Sequence, residues 1–300
     1  MPVTRLSLGT AQLGMVYGIA GPGTSPTERH ATSMLHAAYD LGIASIDTAP
    51  DYGLAEQRVG AFLRDQNLHE EMAICTKLPS LAKIETARIE QQVEDGLTAS
   101  LRRLRADVVD TYLIHDSADL TRHGRALIDA LCHQRDKGRA LSIGVSVYGP
   151  DELALLDEYP ELGVAQHPFN LLDRRLLAAG WPERLAASGT RLHVRSALLQ
   201  GLLAMSPEAV SAGLAAARPL LVALGDMLGR FGLTPATAAL PYAFSIDPDC
   251  IVVGADTIEH LEGLVASAST VLPEELFAAL EREVAAVPHT IIDPRTWPSA

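Results

Sequence analysis

The sequence predicts an α/β protein that folds as a (β/α)8 barrel, in a single domain over residues 1–300. Eight short apolar strands alternate with helices along the chain, which is typical of βαβ units in a parallel sheet. Eight such units in about 250–300 residues fit a closed barrel. Three of the strands also end on an ionisable residue, as expected where strand ends form a site. A doubly wound sheet is the alternative, but the turn Gly9–Gly14 (GTAQLG) lacks the middle glycine of its usual motif.

Each predicted strand is a short apolar run, and glycine, proline or polar residues bound it. The first strand runs into a loop with two glycines, which suits a close approach to the backbone. In chain order, the strands are predicted at residues 5–8, 44–47, 73–76, 108–114, 141–145, 163–166, 191–194 and 250–253.

The intervening helices are predicted from capping residues and apolar spacing. The first begins with Ser25 as N-cap, Pro26 at the first helical position and Glu28 closing a capping box, and Gly42 ends it. The first helices are predicted at residues 25–40, 55–64, 86–105, 122–137 and 174–188, and a further helix begins near residue 151. An irregular stretch at 196–207 leads into a helix that ends near residue 231, and the next helix begins at residue 234. The last helices are predicted at 257–268 and, as an extra C-terminal helix, at 273–287.

Composition excludes several classes of protein. The net charge of −13 argues against nucleic acid or an anionic membrane surface as a partner. No apolar run approaches the ~20 residues of a membrane span, and the N-terminus lacks a signal-peptide core, so a cytoplasmic protein is expected. The cysteines, Cys75, Cys132 and Cys250, are predicted to be buried free thiols, because their spacing does not suit a metal site.

Ionisable side chains stand at successive predicted strand ends. One strand ends on Asp47, with Tyr52 five residues later on a loop, and the next two run into Lys77 and His115. Because the carboxyl ends of barrel strands meet at one mouth, these four side chains are expected to share a site. Asp47 and Tyr52 alone are equally compatible with a cap and a packing aromatic, but the repetition favours a site.

These four side chains suit proton transfer to a carbonyl oxygen. A tyrosine with its ordinary pKa of about 10 is a poor acid at neutral pH unless a nearby cation favours the phenolate. Lys77 can supply that cation, and Asp47 can keep Lys77 charged and oriented. His115 can donate a hydrogen bond to the same oxygen, and a reduction also needs hydride from a cofactor.

At these residues the sequence resembles the aldo-keto reductase superfamily. The resemblance lies in residues 46–53 (IDTAPDYG) and in residues 100–105 (SLRRLR) leading to 110–115 (DTYLIH), and it extends over most of the chain. It implies a (β/α)8 barrel, an Asp47/Tyr52/Lys77/His115 catalytic set, and NADP(H) bound at the barrel mouth without a Rossmann domain. The N-terminal hairpin that closes the barrel of many relatives is expected to be missing or very short.

The resemblance also implies the residues that hold the nicotinamide. Ser146 and Gln166 match family residues that bind its carboxamide, whereas Val147 stands where asparagine is usual. Arg195 replaces an aromatic residue that stacks on the ring, and a guanidinium plane can also stack; an ion pair with a loop carboxylate is the alternative. The cofactor-binding residues are predicted as Gly9, Thr10, Ser146, Gln166, Arg195, Ser196, Leu198, Gly201, Gly254, Ala255, Thr257 and His260.

The adenosine end departs further from the family. His260 stands where a basic or amide residue often grips the 2′-phosphate, but it is equally compatible with a solvent-facing helix position. Asp256 adds a negative charge nearby, and Gly263 and Leu264 replace a Glu-Asn pair that meets adenine. NADP(H) is therefore expected, by a narrow margin, with NAD(H) as the alternative.

The substrate is expected to be a small aldehyde, ketone, sugar-like carbonyl or the matching alcohol. Asp116 suits a polyol or a cationic group, or is a solvated loop charge. A redox-neutral biosynthetic reaction and a cofactor-sensing subunit are the alternatives for the whole protein. The oligomeric state is not predicted, and neither is a metal. The substrate-binding residues are predicted as Met15, Tyr17, Asp116, Tyr148 and Asn170, with Phe169 and Leu199 beside them.

Overall fold

The computed structural model describes residues 2–284 and 287–297, and its centre is a closed barrel of eight parallel strands. Each strand pairs with its neighbours in sequence, and the last pairs with the first. The predicted (β/α)8 barrel is confirmed. The strands are β1 Leu6–Gly9, β2 Ser45–Asp47, β3 Ala73–Leu78, β4 Val109–Ile114, β5 Ala140–Ser146, β6 Val164–Pro168, β7 Arg191–Arg195 and β8 Cys250–Val253.

The register of the barrel brings polar residues of different strands to one level. Asp47 lies opposite Gly9 on β1 and opposite Cys75 on β3. Ser146 lies opposite Gln166. Because all strands run in the same direction, these residues stand at the C-terminal mouth of the barrel, where barrel enzymes carry their sites.

Helices surround the barrel and bury its outer face. Between β1 and β5 lie α1 Ala11–Gly14, α2 Glu28–Asp40, α3 Ala55–Gln66, α4 Ile89–Leu104, α5 Ser117–His123 and α6 Arg125–Asp136. After β5 lie α7 Leu155–Glu158, α8 Arg175–Ala178, α9 Trp181–Ser188, α10 Arg218–Gly229, α11 Pro235–Phe244, α12 Ile258–Ser267, α13 Glu274–Glu283 and α14 His289–Ile292. Short 3-10 segments are Pro2–Arg5, Thr86–Arg88, Pro150–Ala154, Leu199–Ala204, Pro207–Ala209, Ala212–Ala217 and Pro294–Thr296.

The predicted start of α2 is wrong by two residues. Thr27 is the N-cap, and its hydroxyl accepts a hydrogen bond from the backbone N–H of His30 at 3.2 Å. Glu28 is then the first helical residue and not the N3 residue that closes a capping box, and its carboxylate is bound by Arg58 at 2.9 Å. The same guanidinium donates to the carbonyl of Pro26 at 3.0 Å, which fixes Pro26 outside the helix.

Two predicted helices are each broken in two at a glycine. The stretch 122–137 is divided between α5 and α6 at Gly124, and the stretch 174–188 between α8 and α9 around Gly180. Both glycines have positive φ, of 52° and 68°, a backbone conformation that ends a helix and that glycine adopts readily. The predicted C-terminal helix is α13, and residues 285–286 of the prediction lie outside the described residues.

Two expectations from composition, the burial of the cysteines and the absence of a long apolar segment, are only partly met. Cys75 and Cys250 are buried free thiols as predicted, but Cys132 is only half-buried. Contrary to expectation, Ala212–Gly229 is apolar and long enough to cross a bilayer by composition, because Arg218 and Asp226 are its only charges. In the fold a third of it (33%) is buried, and Leu214 has non-helical backbone angles within it.

Candidate active site

A cavity of about 690 Å³ opens at the C-terminal mouth of the barrel. It receives side chains from loops after most strands and from the C-terminal tail. Most residues that the sequence pointed to line it together. Those that do not are Met15, Thr257, Asn170, Phe169 and Leu199, of which Phe169 and Leu199 are fully buried in the core. The predicted residues on its wall are Gly9, Thr10, Tyr17, Asp47, Tyr52, Lys77, His115, Asp116, Ser146, Tyr148, Gln166, Arg195, Ser196, Leu198, Gly201, Gly254, Ala255 and His260.

A buried ion pair forms the floor of the cavity. The ammonium of Lys77 lies 2.6 Å from a carboxylate oxygen of Asp47 and donates to the carbonyl of Thr48 at 2.9 Å. Lys77 is 1% exposed and Asp47 4%. Burial is the largest single effect and disfavours the ammonium, but the charge and hydrogen bond of Asp47, together with Tyr52 and Cys75, exceed it and raise the pKa of Lys77 above its ordinary value. Lys77 is therefore a fixed positive charge.

Tyr52 stands above this pair. The Lys77 nitrogen is 5.0 Å from the centre of the Tyr52 ring, and the His115 ring meets the same ring edge-on at 5.9 Å. Burial raises the pKa of Tyr52, and the charges of Lys77 and Arg195 only partly offset that rise. The expected lowering by Lys77 is present but does not dominate. The phenol therefore remains protonated at neutral pH.

Glycines allow the Tyr52 loop to pack against the β1 loop. A side chain on Gly14 would collide with the carbonyl of Tyr52, and one on Gly53 would collide with the carbonyl of Gly14. Gly53 also has a positive φ of 59°. These contacts fix the backbone from which the phenol projects.

His115 and Asp51 form a second pair at the mouth. The Nδ1 atom of His115 lies 3.5 Å from a carboxylate oxygen of Asp51, whose side chain is 55% exposed. Hydrogen bonding to His115 lowers the pKa of Asp51. The pair orients the imidazole beside Tyr52.

Gln166 joins the ion pair to the wall of the cavity. Its amide nitrogen donates to the second oxygen of Asp47 at 2.7 Å, which fixes the orientation of the side chain. Its Oε1 atom is buried and has no hydrogen-bond partner among the described residues. A buried acceptor without a partner is costly, so this oxygen indicates a ligand that donates a hydrogen bond.

Val147 and Arg195, the two residues near Gln166 that differ from the expected pattern, are joined by a hydrogen bond. Val147 is fully buried in the hydrophobic core, so its side chain is not part of the cavity. Its carbonyl accepts a hydrogen bond from Arg195 at 2.9 Å, and the guanidinium carbon of Arg195 lies 4.1 Å from the centre of the Tyr148 ring. Among the described ion pairs none involves Arg195, so the alternative of a carboxylate partner is wrong.

Two loops close over one side of the cavity and are called here the strap (residues 17–21 and 196–204). The backbone N–H of Ile19 donates to the carbonyl of Gln200 at 3.1 Å. A side chain on Gly201 would lie 2.7 Å from Ala20, so glycine is required there. Ser196, Leu199 and Gln200 have positive φ, which is strained for residues with side chains. Because β8 lies between β7 and β1 in the barrel, the strap bridges the end of β8.

The far end of the cavity follows β8. Thr257 caps α12 instead of lining the cavity, and its hydroxyl accepts from the N–H of His260 at 3.2 Å. Hydrogen bonds from its own backbone N–H and from Thr257 lower the pKa of Glu259, which lines the cavity as a carboxylate. The backbone donors predicted to receive phosphate are therefore partly used within the helix end.

Sequence reasoning missed part of the wall. Gln200 and Ala204 follow a strand end, which was a usable signal, but no motif distinguishes Ala236 or Leu240 on α11. The residues that were not predicted as site residues include Ala11, Gln12, Gly18, Ala20, Ser80, Gln200, Ala204, Ala236, Thr237, Leu240 and Glu259.

Asn170 braces a loop, although it was predicted to bind substrate. It is fully buried; its oxygen accepts from the N–H groups of Leu172 and Asp173 at 2.9 Å, and its nitrogen donates to the carbonyl of Ser196 at 3.0 Å. Met15 begins the chain segment after α1 and lies beside Gly53 outside the cavity. Within the described ranges, no group of three or more His, Cys, Asp or Glu side chains could hold a metal ion.

Comparison with known proteins places the chain among enzymes with this barrel. The model of the aldo/keto reductase family matches residues 5–284. The aldo-keto reductase YhdN of Bacillus subtilis is 29% identical over 182 residues, which are 58% of this chain and 52% of that protein. An L-glyceraldehyde 3-phosphate reductase of Escherichia coli is 28% identical over 212 residues, which are 66% of this chain and 60% of that protein.

A solved structure shares the fold over most of both chains. The glycerol dehydrogenase of Gluconobacter oxydans superposes with a TM-score of 0.71, covers 97% of this chain and 94% of its own, and is 22% identical. The two relatives from Bacillus subtilis and Escherichia coli are matched over 52% and 60% of their length, so these alignments cover little more than half of each protein.

Proposed function

The chain belongs to the aldo/keto reductase family, and we propose that it transfers hydride between NAD(P)(H) and a small aldehyde, ketone or sugar-like carbonyl, or the matching alcohol. The observation that carries the proposal is the buried Lys77–Asp47 pair under Tyr52. A phenol that is protonated at neutral pH and lies beside a fixed cation can give its proton to an oxygen that gains negative charge.

The chain's own residues fit a nicotinamide at the catalytic end. The buried Oε1 of Gln166 supports this, since it needs a donor and a carboxamide N–H supplies one. Ser146, paired in register with Gln166, adds a hydroxyl on the same wall. When bound in its reduced form, the nicotinamide supplies the hydride.

The tyrosine and histidine divide the work on the carbonyl. Tyr52 holds the proton that the oxygen receives, and His115, oriented by Asp51, binds and positions that oxygen. Lys77 stabilises the phenolate that remains after transfer, because its charge is retained by Asp47. In the oxidative direction the same groups act in reverse.

The far end of the cavity supports a weak preference between the cofactors. Asp256 and Glu259 line it, and no lysine or arginine does so beside His260 in the described residues. A 2′-phosphate needs charge-assisted donors for strong binding. We therefore propose that NADP(H) is favoured over NAD(H) by a small margin at most.

The substrate class draws on the named activities of the relatives. They include an L-glyceraldehyde 3-phosphate reductase and a D-threo-aldose 1-dehydrogenase, both of which act on sugar-like carbonyls or alcohols. Asp116 on the cavity wall supports a polyhydroxylated substrate, because a carboxylate accepts hydrogen bonds from hydroxyl groups.

The test is a steady-state assay of NADPH and NADH oxidation over a panel of aldehydes and sugars, in wild type and Tyr52→Phe. Turnover is expected to fall by about 10²–10⁴-fold in the variant, the loss typical of a general acid, while cofactor affinity stays close to that of wild type. Tyr39→Phe is the matched control, because it removes a phenol that is bonded to Glu71 outside the cavity. Equal turnover in Tyr52→Phe would assign the proton to another group. No oxidation of either cofactor over the panel would favour a redox-neutral reaction.

A further inference from the structure

Two guanidinium groups lie against one aromatic ring at the rim of the cavity. The guanidinium carbon of Arg195 is 4.1 Å from the centre of the Tyr148 ring, and that of Arg295 is 3.7 Å from the same point. Two such groups cannot share one face at this distance without overlapping, so the ring lies between them. All three side chains line the cavity.

The positive charge at this rim is only partly compensated. Arg295 is bound by the buried carboxylate of Asp293, at 2.6 Å and 2.9 Å. Arg195 instead donates to two uncharged acceptors, the carbonyl of Val147 and the hydroxyl of Ser196. These two bonds use two of its five N–H donors. In the part of the chain that the structure describes, Arg195 thus has no carboxylate partner, and most of its N–H donors are not used in these two bonds.

This rim adjoins the reacting end of the cavity. The charge of Arg195 acts on both Tyr52 and Tyr17 and works to lower the pKa of each. Burial nevertheless raises the pKa of Tyr17 to about 12, so its hydroxyl is a hydrogen-bond donor at neutral pH. Because Arg195, Tyr17 and Tyr52 line the same cavity, a group bound at Arg195 would share it with a carbonyl bound at Tyr52.

The other side of the mouth has the opposite charge. Asp51 and Asp116 line it, with Asp51 held by His115. Asp116 uses one carboxylate oxygen to cap α5 through the N–H of Ala118 at 3.0 Å. A negatively charged group entering this mouth is repelled on the side of β2 and β4 and attracted on the side of β5, β7 and the tail. The charges therefore favour one orientation of an anionic molecule.

We propose that the substrate carries an anionic group, a carboxylate or a phosphate ester, which Arg195 and Arg295 bind on either side of Tyr148. The proposal rests on the proposed function and adds its substrate class. Guanidinium groups suit this role because their planar donors match the oxygens of carboxylate and phosphate. Tyr148 keeps the two groups apart.

The experiment compares substrates that differ only in the anionic group. Succinic semialdehyde is paired with butanal, and glyceraldehyde 3-phosphate with glyceraldehyde, in steady-state assays with saturating NADPH. Within each pair, kcat/KM is expected to be at least about tenfold higher for the anionic member, the effect of one charge-assisted hydrogen bond. The pair with the larger ratio distinguishes a carboxylate from a phosphate substrate.

Variants separate the rim from the rest of the site. Arg295→Gln and Arg195→Gln should each lower the anionic-to-neutral ratio by about tenfold or more. Arg184→Gln is the matched control, because Arg184 also lies over an aromatic ring, Trp181 at 3.8 Å, but outside the cavity. It should leave the ratio as in wild type. Calorimetry with succinate and with inorganic phosphate measures anion binding without turnover.

The outcomes distinguish this inference from the proposed function. Turnover of butanal and glyceraldehyde with ratios near one, and no binding of succinate or phosphate, would overturn the anion site and leave the reductase intact. Absence of all turnover, with succinate or phosphate binding that is lost in both rim variants, would overturn the reductase and retain the anion site. Ratios that fall equally in Arg184→Gln would also overturn the inference.

Discussion

The two ends of the cavity differ in how their charges are held. At the catalytic end, Asp47, Lys77 and Gln166 stand on strands, are at most 4% exposed and bond to one another. At the far end, Glu259 and His260 are exposed on the first turn of α12. Charges that are buried and connected interact strongly, whereas exposed charges are screened by water and salt. One substitution at the catalytic end should therefore affect both activity and stability, but at the far end only selectivity.

The largest effect is expected from Lys77→Met. It removes the cation under Tyr52 and leaves Asp47 buried without its charge partner. Turnover should fall by at least about 10²-fold, and the free energy of unfolding should fall by about 3–5 kcal/mol, the usual result of breaking a buried pair. Turnover is measured with a saturating aldehyde, and stability by urea unfolding.

The double variant Asp47→Asn/Lys77→Met is the control for this prediction. It removes both charges, so it should recover much of the lost stability and none of the turnover. If the Lys77→Met protein is as stable as wild type, Asp47 does not depend on Lys77 as a buried charge partner. The two ends of the cavity would then not differ in how strongly their charges interact.

An intermediate effect is expected from Gln166→Leu. The substitution removes the acceptor proposed for the carboxamide and one donor to Asp47. The Kd of NADPH and that of NADH should rise by the same factor, about tenfold, because the nicotinamide is common to both. Calorimetric titration with each cofactor gives both constants.

Gln134→Leu is matched to it in burial. Gln134 is also fully buried, but it bonds to Arg139 outside the cavity. Both variants should lose stability, and only Gln166→Leu should lose cofactor affinity. Unequal changes for NADPH and NADH in Gln166→Leu would place its side chain near the adenosine instead of the nicotinamide.

The smallest effect is expected at the far end. Glu259→Gln should raise the ratio of kcat/KM for NADPH over NADH by about two- to fivefold, because it removes an exposed negative charge. In His260→Ala the same ratio should fall, because the variant removes a side chain that can donate a hydrogen bond to the 2′-phosphate. Steady-state assays with both cofactors measure these ratios.

Glu262→Gln on the same helix is the control, because Glu262 is exposed and does not line the cavity. It should leave the ratio as in wild type. If the ratio is insensitive to both Glu259→Gln and His260→Ala, the 2′-phosphate does not bind at the start of α12.

The same contrast explains what the sequence could predict. Asp47 and Lys77 were predictable because each stands at or next to a strand end, and the barrel brings all strand ends to one mouth. Gln166 was predicted from the resemblance to the family. The net upward pKa of Tyr52 was not predictable, because it depends on burial in the assembled site more than on Lys77. The fold as a whole follows from eight apolar runs. The breaks at Gly124 and Gly180 were not predicted, because they depend on the positive φ that these glycines adopt in the folded chain.

The rest depended on contacts between distant parts of the chain. Asn170 follows a strand end as a binding residue would, yet its amide is used by its own loop and by Ser196. Thr27 and Ser25 are both good N-caps by residue type. The helix begins after Thr27, where Arg58, 30 residues from Glu28 in sequence, binds Glu28 and the carbonyl of Pro26. No local sequence pattern predicts that Arg295, in the C-terminal tail, packs against the Tyr148 ring.

The strap bears on how fast a bound molecule can leave the cavity. Its two loops both line the cavity and are joined by a hydrogen bond from Ile19 to Gln200 across the end of β8. Loop opening of this kind takes microseconds to milliseconds and often limits turnover in enzymes. If the cofactor proposed above lies beneath the strap, opening of this bond widens the path by which it leaves. The residence time of the cofactor would then be set by Gly201 and the strained residues beside it, at a distance from the hydride.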